Sequence, residues 1–194
     1  PVLAGVDTVI HLAAIFDLGA PAELMWKVNV QGTENVCRAA VDSGVKKFIM
    51  LSSASVYGTP KEIPCREEAL KRPRDAYGLT KWESEKVAMR YHREHGLPVV
   101  AVRPSLVYGP GSKYGQAMYF ALFSMHRALN RTVWPLWNMP SANQVHIEDV
   151  CRAILFLMDR SDAVGQAYNI VDDEPLPLDQ GFELIMGQFG VRPH

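Results

Sequence analysis

Apolar positions along the chain fall into two textures. Residues 7–12, 47–52 and 98–103 are short, nearly continuous apolar runs rich in β-branched side chains, a pattern that predicts strands buried on both faces. Between them the apolar positions take helical spacing. Segment 21–43 carries Leu24, Val28, Val36 and Ala40 and is followed by Gly44 as a stop signal, and segment 75–95 opens on Asp75 as N-cap and stops at Gly96. Strand, helix, strand, helix, strand predicts an α/β fold with a parallel sheet covered on both faces. After Pro104 the texture changes. Tyr108-Gly109-Pro110-Gly111 reads as a loop, 116–129 and 178–189 as helices and 166–170 as a strand. Residues 148–160 read as an amphipathic helix, with Val150, Ile154, Leu155 and Leu157 on one side and Asp149 near its start. This half predicts a smaller, mixed α/β lobe, with a boundary that divides the chain into 1–110 and 111–194.

The 194 residues are 48% hydrophobic with a net charge of −1, enough for one substantial core or one large and one small domain. The charge gives no reason to expect nucleic acid or a membrane surface as partner, and no apolar run reaches the roughly 18 residues a membrane span needs. The start, Pro1-Val2-Leu3-Ala4-Gly5, lacks the basic and apolar regions of a signal peptide. Cys37, Cys65 and Cys151 are odd in number and widely spaced, which disfavours a disulfide framework and any C-x-x-C metal site. Cys37 and Cys151 read as small core residues, and a cytoplasmic compartment fits best.

The candidate chemistry centres on Tyr77 and Lys81. Four residues apart on a helix, they share one face. An ammonium near a phenol stabilises phenolate, so the expectation is a tyrosine drawn down toward working pH, able to exchange a proton with a secondary alcohol or carbonyl. Spacing alone carries little weight: a surface tyrosine stacking on a lysine stem would look the same. The chain also has a second match, Tyr57 and Lys61, but Gly58 and Pro60 lie between them and oppose a shared helical face. The cluster Ser52-Ser53-Ala54-Ser55 adds weight, because it falls at the carboxyl end of a predicted parallel strand, the edge at which α/β sheets bind ligands.

In order along the chain stand His11-Leu12-Ala13-Ala14, Asn29-Val30-Gln31-Gly32-Thr33, Ser52-Ser53-Ala54-Ser55-Val56-Tyr57-Gly58, Tyr77-Gly78-Leu79-Thr80-Lys81, Arg103-Pro104-Ser105-Leu106-Val107-Tyr108-Gly109-Pro110-Gly111 and His146-Ile147-Glu148-Asp149-Val150. Together these six motifs resemble the extended short-chain dehydrogenase/reductase family of the NAD-dependent epimerase/dehydratase type, over nearly the whole chain. The resemblance implies a Rossmann-type sheet and an NAD- or NADP-dependent oxidoreductase, epimerase or dehydratase. It implies Tyr77 as general acid/base, Lys81 as the group that tunes it and binds the nicotinamide ribose, and Ser53 as the catalytic hydroxyl, with Ser52 and Ser55 as weaker candidates. Cofactor binding is implied for Leu12, Ala13, Ala14, Asn29, Ser52, Pro104 and Val107 as well as Tyr77 and Lys81. His11 is expected to be a packed strand residue, His146 and Asp149 to fix the second lobe, and Arg103 to be either a strand-end ion pair or a pocket residue. A homodimer through segments 21–43 and 75–95 is implied by the resemblance alone.

One family element has no counterpart. The glycine-rich loop after the first strand, whose backbone lies against the pyrophosphate, does not occur in these residues. The chain is therefore expected to be N-terminally truncated by roughly two βα units, to hold only part of the Rossmann-type sheet and an incomplete second lobe, and to be inactive by itself. NAD is the default over NADP.

The expected partner is a small-molecule substrate. A nucleotide sugar is the first reading, and the basic residues Lys113, Arg127, Arg131 and Arg152 are available for its diphosphate. A 3β-hydroxysteroid or sterol is the alternative, suggested by Phe16-Asp17-Leu18 and Arg103-Pro104-Ser105. Trp134, Trp137 and Met139 either cover substrate or pack the small lobe, and Lys71-Arg72-Pro73-Arg74 reads as a solvated cluster. A dinucleotide-binding regulator without turnover is the reading from another class.

Overall fold

The computed structural model describes residues 2–17, 19–112, 116–130, 133–134, 141–173 and 176–193. In chain order its strands are β1 (Thr8–His11), β2 (Lys47–Leu51), β3 (Val99–Pro104), β4 (Leu106–Tyr108), β5 (Val133–Trp134), β6 (Ser141–Ala142), β7 (Gln144–His146), β8 (Ala167–Ile170), β9 (Leu176–Pro177) and β10 (Arg192–Pro193). The central sheet has the order β1-β2-β3-β8 and is parallel throughout. Ile49 stands opposite Ile10 on one side and Val100 on the other. The apolar runs are continuous because the middle strands are covered on both faces: Phe48, Ile49, Met50 and Val99 to Val102 are almost wholly buried. Against one face, Cys37, Ala40, Ala88 and Tyr91 pack on Phe48, Met50 and Val99.

Segment 21–43 is helical as expected, but not as one regular helix. α1 (Ala22–Met25) runs into a π-helical turn (Trp26–Gln31) and then α2 (Gly32–Asp42). The cause lies at Asn29. Its carbonyl accepts from the hydroxyls of Thr33 at 2.6 Å and Ser84 at 2.7 Å, and such side-chain donors displace the regular backbone ladder. α3 (Ala76–His95) follows its sequence signals. The Asp75 carboxylate accepts from the Gly78 amide at 2.7 Å, and the helix ends on Gly96 at φ 70°, a left-handed position suited to glycine.

The chain forms two compact units, Pro1–Ser105 with Cys151–Ile170, and Leu106–Val150 with Val171–His194. The division expected near residue 111 is a single cut. In the structure the chain crosses into the second unit at about that place and then returns, because β8 completes the first unit's sheet beside β3. Within the second unit β4 pairs with β7, β6 with β9 and β5 with β10. Helices α4 (Gln116–Ala128) and α6 (Leu178–Gln188) share a small core of Phe123, Phe182, Ile185, Met186 and Val191.

α5 (Ile147–Met158) buries Val150, Ile154 and Leu157. Two expectations on this helix are corrected. Leu155 is 61% exposed, and Cys151 is exposed rather than a core residue. Both are displaced by one residue from the buried i, i+4, i+7 stripe, which swings them about 100° away from it. Cys37 does sit in the core, where burial pushes its thiol up to about 12. Trp137, Met139, Lys113 and Arg131 lie outside the described residues. Among the described residues no helix is long and apolar enough to cross a membrane.

Candidate active site

β2 ends by delivering Ser52 and Ser53 to the carboxyl edge of the sheet. Ser53 then caps a short 3-10 helix, Ala54–Tyr57. Its Oγ accepts from the Ser55 amide at 3.1 Å and from the Ser55 hydroxyl at 2.9 Å. With both acceptor positions used, the Ser53 proton remains for donation, and the hydroxyl stands near enough to the Tyr77 phenol to draw its value down. Tyr77 opens α3, its ring set edge-on against Phe16 with centroids 4.7 Å apart. Lys81 follows one turn later and is only 3% exposed. The structure therefore brings Ser53, Tyr77 and Lys81 to one place through the end of β2 and the first two turns of α3.

Their electrostatics differ from the simple expectation. Burial holds the Tyr77 phenol above its usual value; the hydrogen bond from Ser53 works against that, and Asp75 adds to it. The Ser53 hydroxyl is an influence that favours phenolate. Lys81 is itself pushed down to about 8 by burial, with the Glu85 carboxylate opposing. A desolvated ammonium is costly to keep charged.

Beneath these groups lies a polar scaffold that ties three segments together. The Asn29 side chain accepts from the Ile15 amide at 2.7 Å and donates to the Ile15 carbonyl at 3.1 Å and to Thr80 Oγ1 at 3.0 Å. Asn29 is thus fully committed within the protein, and any part it has in cofactor binding is indirect, through the loop after β1 and the helix bearing Lys81. Thr33 Oγ1 donates to the Asn29 carbonyl and so accepts from His11 Nε2 at 2.9 Å. That fixes the His11 tautomer and leaves its ring neutral, held down to about 4 by burial and the nearby Lys81 charge. His11 is the packed strand residue expected.

Arg103 resolves to an ion pair. Its Nε and Nη2 donate to the two Glu85 carboxylate oxygens at 3.0 and 2.5 Å, and both side chains are buried. Its Nη1 donates to the Tyr57 hydroxyl and to the Glu67 carbonyl, and Tyr57 donates on to Asn169 Oδ1 at 2.8 Å. Tyr57 is therefore structural. Lys61 lies exposed in an irregular segment, so the second tyrosine–lysine match makes no site. Glu85 was not anticipated, although its place four residues after Lys81 on the same helix was visible.

Leu12 is 52% exposed and Ala13 is also exposed, while Ala14 is half-buried and Pro104 buried. The Ser52 hydroxyl is buried without a hydrogen-bond partner. Leu12 to Ala14 follow β1 and Ser52 follows β2, so both face the same edge of the sheet. Small side chains, an open backbone and an unsatisfied hydroxyl there fit the flat nicotinamide-ribose end of a dinucleotide. In the second unit, Val107 is half-buried on β4. Tyr108 donates to Asp172 at 3.3 Å and packs edge-on against His146, consistent with a scaffolding place for His146.

Residues 2–171 match the family model described as the NAD dependent epimerase/dehydratase family. A UDP-glucose 4-epimerase of Vibrio cholerae is 32% identical over 179 residues, covering 88% of this chain and 53% of that protein. A 3beta-hydroxysteroid-dehydrogenase/decarboxylase isoform 2 of Arabidopsis thaliana is 38% identical over 184 residues, 89% of this chain and 32% of that one. The crystal structure of the dTDP-glucose 4,6-dehydratase DesIV from Streptomyces venezuelae, with NAD bound, superposes with a TM-score of 0.84 at 28% identity, covering 100% of this chain and 62% of that one. The chain spans about half the length or less of the curated relatives it matches. With its ordered motifs and the Ser53–Tyr77–Lys81 arrangement in place, the chain belongs to the NAD-dependent epimerase/dehydratase family.

Proposed function

We propose that the complete protein is an NAD(P)-dependent oxidoreductase of the epimerase or dehydratase kind, acting on the secondary alcohol or carbonyl of a nucleotide sugar. The observation that carries this is the Ser53 hydroxyl set beside the Tyr77 phenol at the ligand-binding edge of the sheet, with Lys81 one turn beyond. In the first unit Leu12, Ala13, Ala14, Ser52, Tyr77, Lys81 and Pro104 are the residues that would hold the cofactor, with Asn29 supporting them through the Ile15 backbone and Thr80. When bound, the dinucleotide supplies the hydride acceptor or donor. The protein's own part is to hold and move a proton. Tyr77 takes it from the carbinol oxygen or returns it, Ser53 donates to that oxygen as charge builds, and the Lys81 ammonium stabilises the phenolate.

NAD is the proposed cofactor, with NADP the alternative. UDP- and dTDP-sugars are the first substrates to try, as the names of several relatives suggest. The second reading, a 3β-hydroxysteroid dehydrogenase, is favoured by relatives of that name at 30% to 38% identity. The partner proposed for assembly is a second copy. Leu24, Trp26 and Val28 on the α1 and π-turn segment and Leu79 on α3 are exposed apolar residues that support pairing through these helices. Three free cysteines support a cytoplasmic compartment, and the net charge of −1 gives nucleic acid no footing.

The test is Tyr77→Phe in the complete protein, assayed against nucleotide sugars and 3β-hydroxysteroids by product analysis as well as NADH absorbance, since epimerisation gives no net NADH. Loss of turnover with dinucleotide binding retained supports the enzyme. Dinucleotide binding without turnover in the parent protein on either panel supports a non-catalytic regulator instead.

A further inference from the structure

Lys81 is nearly as buried as the hydrophobic core, and its charge needs an answer inside the fold. Among the described residues, the ionisable groups on the elements around it are these. From β1 comes His11, neutral and bonded to Thr33. From its own helix come Tyr77 and Glu85. From β3 comes Arg103, behind Glu85, and behind that Tyr57 of the 3-10 helix. Lys27 of the π turn is exposed, and Glu34 of α2 is turned away onto Arg90 at 2.7 Å. The Asp75 carboxylate at the start of the helix is engaged with the Gly78 amide; among the described residues it is Glu85, 2% exposed, whose charge answers Lys81. Yet it makes no ion pair with Lys81, because both of its oxygens are taken by the Arg103 fork.

We propose that Glu85 is a positioning residue for Lys81: held by Arg103, it serves as a counter-charge kept at a distance, close enough to favour the ammonium and unable to capture it. The Arg103–Glu85 pair then has two opposed effects. The carboxylate field keeps Lys81 charged despite its burial. The guanidinium fork stops that carboxylate from drawing the ammonium down the helix, away from Tyr77. A direct Lys81–Glu85 contact would supply more charge stabilisation but would take the ammonium out of the site. This inference rests on the proposed role of Lys81, and it is tested without relying on turnover.

The experiment follows the lysine side chains of the whole protein by NMR, using 13Cε-labelled lysine and assigning Lys81 by its disappearance in Lys81→Met. In Glu85→Gln the Lys81 titration midpoint should fall by about one pH unit or more. In Arg103→Met it should rise, as the freed carboxylate closes onto the ammonium. A buried arginine without its partner can unfold a protein, so the double variant Glu85→Met with Arg103→Met, which removes both charges together, is the second arm. It should fold and show the same downward shift as Glu85→Gln. An unmoved Lys81 midpoint in the double variant overturns the proposal. So does a shift in the same direction in Glu85→Gln and Arg103→Met. The shifts without any turnover in the parent protein would leave Glu85 in this role and remove the enzymatic reading instead.

Discussion

Gly78 brings the first turn of α3 against the carbonyl oxygen of Ser55: a Cβ at this glycine would stand 2.9 Å from that oxygen and 3.2 Å from the Pro73 Cβ. The closeness sets how near Tyr77 comes to the serine loop. In an open helix, glycine to alanine gains roughly 1 kcal/mol. Here the backbone oxygen reverses the sign, and Gly78→Ala is expected to destabilise by about 1–3 kcal/mol. Turnover of the complete protein should fall about 100-fold as Tyr77 is displaced. Urea unfolding midpoints and kcat measure the two effects, and a raised midpoint would show that the loop yields.

Ser53→Ala removes the donor that lowers the Tyr77 phenol. The phenol should then titrate at higher pH than in the parent, by ultraviolet difference spectroscopy against a Tyr77→Phe blank. Turnover should drop roughly 100- to 1,000-fold. A phenol unmoved by the substitution would mean that the serine does not bond it in solution.

Lys81 makes stability depend on pH in the alkaline range. Its value in the fold, about 8, lies below the ordinary 10.5, so between these limits the unfolded chain binds more protons and stability rises with pH. The gain is on the order of 3 kcal/mol and is absent from Lys81→Met. Denaturation of both proteins between pH 8 and 10.5 measures it as a difference, and parallel curves would contradict the burial of a charged lysine.

His11 acts at the acid end. Its value in the fold is about 4 against an ordinary 6.5, so its contribution is complete above pH 6.5 and is lost as pH falls toward 4. The loss is on the order of 3 kcal/mol. His11→Gln, which can still donate to Thr33, should lack this acid sensitivity. Nitrogen NMR should find the ring at pH 6 neutral with the proton on Nε2; a protonated ring there would rule the account out.

The sequence was most informative where one period or one terminal signal decides the structure. The apolar runs around Phe48 and Val100 give parallel strands because nothing else buries such residues on both faces. Asp75 and Gly96 bracket α3 because capping is local chemistry. The pairing of Tyr77 with Ser53 was legible as motifs, but the direction of the Tyr77 shift was not, since it depends on burial and on a hydrogen bond between residues 24 positions apart. The π turn was hidden for the same reason: its cause, Ser84 reaching the Asn29 carbonyl, comes from another helix. Arg103 was open between an ion pair and a pocket place and Glu85 looked ordinary, and only packing shows them as a buried pair.

The π turn also gives this stretch a residue to spare. Such a turn holds one residue more than the regular spiral needs. Excising a single position from Trp26–Gln31 would restore a plain α-helix and leave Cys37 and Ala40 in their slots against the sheet, whereas the same loss inside α2 would rotate everything after it by about 100°. A one-codon deletion beside exposed Lys27 should therefore keep the register of α2, while one within α2 should scramble it.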